Sequence, residues 1–333
     1  NTTASNNVAI GSGSMESNQT GTANVAVGRG TLANITTANN NTAVGDNALN
    51  DDTTGAQNTA VGTNAADAIT TGVENVALGY AALGDNTTGG YNVAIGSRAL
   101  DATSTASNNV AVGYDALGAT TTGYNNTALG TSALSYNTTG NLNVAVGSAA
   151  LARNTTAGSN TAVGYGAAFE TTTGSINTAI GYYSLYANTV GQYNCGLGAE
   201  SLRTNTTGNH NVAVGYYALY ANTTGASNTA VGNNALDANT TADGNTAVGN
   251  NALGANTTGN NNTAVGRAAL DANVTNVSNC AFGNSALTNS TSDYNNAFGD
   301  GALSTLSTGN KNCAFGYQSL DHVTTGNNNS AFG

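Results

Sequence analysis

Along almost the whole chain, every seventeenth residue is the glycine that closes one short pattern: Asn, then Val or Thr, then Ala, then a larger apolar residue, then Gly. That glycine falls at Gly11, Gly28 and Gly45 and so on to Gly333, and the interval drops to sixteen once, between Gly283 and Gly299, where one turn residue is missing. Self-similarity at a fixed period of this length marks a solenoid or array, because each unit buries its apolar face only against its neighbours. The chain is therefore expected to be a single continuous β-solenoid array over residues 1–333, with about twenty 17-residue coils.

The pattern alternates, so its second and fourth residues share one face of a strand and Ala takes the other. A Leu four residues past most of the glycines, such as Leu49 or Leu219, is expected to open a second short strand, giving strand, turn, strand, turn in each coil. Helix is disfavoured by the density of Gly, Asn and Thr and by the lack of a 3.6-residue period. The absence of Pro suits a stack in which every rung donates backbone N–H groups. Only 7 % of the residues are charged, which can accompany disorder, but a disordered polar tract has no reason to hold Val, Ala and Leu in strict register.

Each pattern residue acquires an expected role. Asn and Gly, as at Asn211, Gly215, Asn228, Gly232, Asn245 and Gly249, are turn and ladder residues. The glycine answers a positive φ or a close approach, and the asparagine forms turns and stacks into an amide ladder. Val212, Val214, Leu219, Val231 and Leu236 are expected in the core. Ala213, Ala230 and Ala247 are expected on a bare face that suits close approach by another chain. About three apolar side chains per coil make a thin core for the backbone entropy that must be lost. Self-association, threefold, is therefore expected along the array.

The copies at Asn92–Gly96 (Asn-Val-Ala-Ile-Gly) and Asn143–Gly147 (Asn-Val-Ala-Val-Gly) resemble the haemagglutinin-type head repeats of trimeric autotransporter adhesins. Their alternation with Asn-Thr-Thr-Gly, as at Asn86–Gly89, is also similar to repeats of phage-type tail-fibre proteins. The resemblance covers the whole chain and implies a left-handed parallel β-roll in an intertwined or side-by-side homotrimer. It implies Val93 and Ile95 in each chain's core and Ala94 at the trimer interior. The period here is longer than the family's usual repeat, and no coiled-coil stalk or membrane anchor is present in the sequence.

The function expected from these features is a structural and adhesive extracellular fibre: a surface adhesin head, a tail-fibre shaft or a filament segment, at a cell or virion surface. Its partner is itself, with end-to-end continuation possible because neither end shows a polar capping coil. A host surface or glycan is the other candidate partner. The alternative is a glycan-binding module built on the tyrosines Tyr182, Tyr183, Tyr186, Tyr193, Tyr216, Tyr217 and Tyr220, which crowd into three neighbouring copies. A further alternative is an ice-binding solenoid, disfavoured because the pattern Thr, as at Thr229, is expected to point inward.

No enzyme, cofactor or metal site is expected. His210 and His322 lie far apart, and Asp67, Asp101, Asp237 and Asp271 read as solvated turn carboxylates. The few cations are scattered against a net charge of −11, so nucleic acid is excluded as a partner. No apolar run reaches the ~20 residues of a membrane helix, so this segment is not expected to insert. Cys195, Cys280 and Cys313 are expected inside as small apolar residues, and the Phe residues of the last four copies, from Phe282 to Phe332, as a wider core. Asn86, Asn137, Asn205 and Asn222 begin glycosylation sequons.

Overall fold

The computed structural model describes residues 3–333. It is all-β, with twenty strands of three residues each and no helix among the described residues. The strands are the three residues after each pattern Asn, and they pair in parallel and in register, for example Thr229 with Thr246, Ala230 with Ala247 and Val231 with Val248. The chain divides into two compact units. The first holds the described residues up to Gly166 with Thr171–Thr173, and includes β1 (Val8–Ile10) through β10 (Thr161–Val163). The second holds Ala167–Glu170 and Gly174–Gly333, and includes β11 (Thr178–Ile180) through β20 (Ser330–Phe332). Each is a parallel β-solenoid.

It is convenient to number each coil from its Asn as position 1. There is one strand per coil, at positions 2–4; the expected second strand at Leu is absent. Positions 7 and 9 are left-handed instead, as at Asn234 (φ 53°) and Leu236 (φ 52°). Two left-handed residues one apart curl the chain into a tight turn that no strand can follow. Each such Leu gives up roughly 1–2 kcal/mol to its backbone conformation and, from Leu32 to Leu303, is fully buried in return. The curl still hydrogen-bonds to the next coil: the Leu236 N–H donates to the Ala252 carbonyl at 3.0 Å.

The pattern Gly meets both demands placed on it. Gly232 has φ +136°, and a Cβ there would lie 2.5 Å from the carbonyl oxygen of Gly249 in the next coil. The pattern Asn forms a buried ladder. Asn211 Oδ1 accepts the Asn228 N–H at 3.0 Å and its Nδ2 at 3.2 Å, while Asn228 Nδ2 also donates to the Ala242 carbonyl at 2.7 Å. A second ladder runs through position 12, where Asn239 Nδ2 donates to Asn222 Oδ1 at 2.8 Å. The residue missing from the short copy comes out of the turn after Ser290, and the strands on either side keep their register, Cys280 opposite Asn296.

The two faces of the strand are the reverse of expectation. From Ala26 to Ala314 every strand Ala is 0 % exposed, so Ala213, Ala230 and Ala247 face the interior of their own chain rather than a second chain. Ala94 is likewise inside, while Val93 and Ile95 are outside. Val212 and Val231 are 37 % and 36 % exposed, and Val214 is half-buried on the same outer face. Leu219 and Leu236 are fully buried. The reason is the width of the coil. With one strand and a tight curl, the inner face of the strand lies directly on position 8, and only a methyl group fits between them. At Gly196, where position 8 is Ser184 and Ser201, a Cβ would lie 2.5 and 3.0 Å from their hydroxyls.

Candidate binding surfaces

Two outward surfaces follow from this geometry. The first is the outer strand face, made of positions 2 and 4. Position 2 carries Val, Thr, Cys, Asn or Ser, and position 4 carries Val, Ile, Leu or Phe; none of these residues is charged. The three cysteines belong here, half-buried and free, instead of in the core. Burial pushes the thiols of Cys195 and Cys280 above the usual range, which leaves them protonated near neutrality. The phenylalanines are outside as well and widen no core. Phe282, Phe298, Phe315 and Phe332 stack in a column with centroids 5.0, 4.5 and 5.4 Å apart. The strand threonines also point outward, so the reason given against an ice-binding face does not hold. The column itself is irregular, mixing Thr with Val, Cys, Asn and Ser.

The second surface is built by positions 6, 7 and 10 of three successive coils in the second unit. One coil supplies Tyr182, Tyr183 and Tyr186, the next Ala199, Glu200 and Arg203, and the third Tyr216, Tyr217 and Tyr220. Backbone bonds between coils hold these in line, Glu200 N–H to the Tyr182 carbonyl at 2.8 Å and Tyr217 N–H to the Ala199 carbonyl at 3.3 Å. Tyr182 packs on Tyr183 with centroids 4.2 Å apart, and Tyr183 meets Tyr186 edge-on at 4.8 Å. On the other side Tyr216 meets Tyr217 at 4.1 Å, and Tyr217 meets Tyr220 at 4.6 Å. The hydrogen bond between Tyr216 and Tyr217 pushes the Tyr217 phenol above its ordinary range.

Between the two tyrosine groups, Arg203 is bound to Glu200 and lies 5.1 Å over the Tyr183 ring and 5.8 Å over Tyr186. The bond to Glu200 raises the Arg203 pKa further. Tyr193 is not part of this surface. It sits at position 17 and stacks on His210 at 4.9 Å. The sequence reading missed Arg203, Glu200 and Phe169, which stacks on Tyr186 at 5.3 Å. Aligning the coils by position, rather than counting tyrosines along the chain, brings all of them into one field.

Elsewhere the chemistry is sparse. Among the described residues no three His, Cys, Asp or Glu side chains could together hold a metal ion. Asp67, Asp101, Asp237 and Asp271 are half-buried instead of freely solvated, and burial raises all four carboxyls above the usual range. The sequon asparagines Asn86, Asn137, Asn205 and Asn222 are 0 % exposed within the position-12 ladder, so the folded coil hides them from a glycosylating enzyme. No helix among the described residues is long and apolar enough to cross a membrane. No protein-family model and no curated protein matches the chain.

Proposed function

We propose that this chain is a structural segment of an extracellular fibre or surface adhesin, associating side by side with copies of itself, homotrimerically, through the outer strand face. The observation that carries the reading is the uncharged outer strand face, whose fourth position is apolar in every strand. Ten coils at ~4.8 Å, with a face roughly 10 Å wide, give each unit a strip of roughly 500 Å². Only its position-4 column is apolar throughout, and apolar patches of a few hundred Å² on a protein surface are often functional. The chain as a whole carries a net charge of −11, and copies meeting through a face without charges avoid most of the repulsion that other orientations would impose.

The resemblance to adhesin head repeats and tail-fibre repeats supports a cell-surface or virion-surface setting. The trimer implied by that resemblance would be joined here through valine and isoleucine instead of alanine. The reading assigns no catalytic role. Light scattering on the purified chain tests it. Multiples of the chain mass are expected, and the double substitution Val231→Lys with Val248→Lys should reduce them to monomers without altering the circular dichroism of the coils. A wild-type chain that stays monomeric at high micromolar concentration would refute the proposal.

A further inference from the structure

We propose that the tyrosine field of the second unit binds a neutral carbohydrate, one pyranose ring seated in the notch over Ala199 between the rings of Tyr182 and Tyr216. This goes beyond the structural role and uses a different part of the coil, positions 6 to 10 instead of the strand.

The notch comes from the register. Tyr182 and Tyr216 hold the same position two coils apart, so their backbones are separated by about 9.6 Å. The coil between them offers only the methyl of Ala199 at that position. A ring in van der Waals contact on both sides needs ~7–8 Å, which the ~9.6 Å backbone spacing allows. Both walls are about half exposed, at 49 % each. Both are also braced: Tyr182 by Tyr183, Tyr186 and Phe169 in turn, and Tyr216 by Tyr217 and Tyr220. Braced aromatic rings lose little freedom on binding, and their faces suit the C–H face of a sugar.

Charge and size choose the ligand class. Arg203 and Glu200, in the same coil as Ala199, neutralise one another; their side chains are 32 % and 13 % exposed. They offer hydroxyl groups a donor and an acceptor while giving an anion no net attraction. The surrounding chain is acidic, which further disfavours a sulfated or sialylated ligand. The field covers three coils, roughly 10 by 15 Å, far below the ~800 Å² per partner of a standard protein interface. It therefore fits an oligosaccharide better than a protein.

The test is saturation-transfer NMR on the full chain with cellohexaose, laminarihexaose and chitohexaose, and a sulfated heparin hexasaccharide as the charged comparison. At least one neutral hexasaccharide is expected to bind in the millimolar range or tighter. Ala199→Tyr should weaken it by roughly tenfold or more, because it fills the notch with the residue that the adjoining coils already carry at that position, so the coil is preserved. Tyr182→Ala with Tyr216→Ala should do the same, while Tyr91→Ala, an exposed tyrosine of the first unit, should not. The proposal is overturned if no neutral hexasaccharide binds, if Ala199→Tyr binds as well as the parent, or if the sulfated sugar binds best. A protein that engages these tyrosines without competition from sugar would overturn it too.

Discussion

Gly196 stands where the neighbouring strands carry alanine, and it shows how tightly single residues are matched across the coil. Ser184 Oγ donates to the Gly196 carbonyl at 3.1 Å and lies 2.9 Å from Ser201 Oγ. Gly196→Ala places a methyl 2.5 Å from that hydroxyl and should cost roughly 1–3 kcal/mol in urea unfolding. Ser184→Ala with Ser201→Ala should recover most of that loss, because the triple variant restores the alanine pairing seen at Ala213 and Ala218. Additive effects across this cycle would show that the serines do not set the glycine. The exception at Gly196 is visible in the sequence, but its cause is not, since positions 3 and 8 meet only once the coil is closed.

At the scale of the element, the position-12 ladder governs how neighbouring coils are tied. Where asparagine follows asparagine the amides bond in sequence, as Asn205 Nδ2 to Asn188 Oδ1 at 2.9 Å and Asn222 Nδ2 to Asn205 Oδ1 at 2.8 Å. Where Thr171 succeeds Asn154, the Thr171 hydroxyl and the Asn154 Oδ1 are both buried without a partner. Asn273 is left in the same state by Ser290, which is too short to reach it. Thr171→Asn supplies the missing amide donor and should raise stability by about 1 kcal/mol, read as a higher melting temperature. An unchanged or lower melting temperature would mean the ladder adds nothing there. The sequence showed this column as a turn with sequons. That its asparagines point inward became legible only when the curl at positions 7 to 9 brought them under the strand.

At the scale of the whole molecule, repeat arrays hold together by the sum of coil and neighbour terms, so a fault in one coil acts locally. Asp52 is such a fault in the first unit. It holds the ladder position between coils that carry Ile35 and Ile69 there, and all three are fully buried. Its carboxylate accepts the Gly55 N–H at 2.8 Å and Asn41 Nδ2 at 3.1 Å, yet burial pushes its pKa up to about 7. The folded chain therefore holds a proton that the unfolded chain, with a pKa near ~3.9, has already released. Stability from this group is full below about pH 4, declines as pH rises through the window to about 7, and is level above it, a loss on the order of 4 kcal/mol. Asp52→Asn should remove most of that decline and stabilise the chain at pH 8, since Asn86 makes the corresponding pair of bonds to Gly89 at 2.9 Å each. Unfolding midpoints of parent and variant at pH 5 and pH 8 check it, and a parent that is more stable at pH 8 would contradict the assignment.

The sequence alone determined the period, the β class and the places where glycine and asparagine are required, and it favoured parallel stacking over an antiparallel hairpin array. Those depend on repetition and on local backbone chemistry, which a single coil already contains. It could not decide which side of the strand is inside. Alternation says only that Ala and its two neighbours face opposite ways, and either choice buries apolar groups. The closed coil decided it. The left-handed turn at Leu makes the interior so narrow that only alanine fits beneath the strand, and valine, isoleucine and phenylalanine are left on the outside.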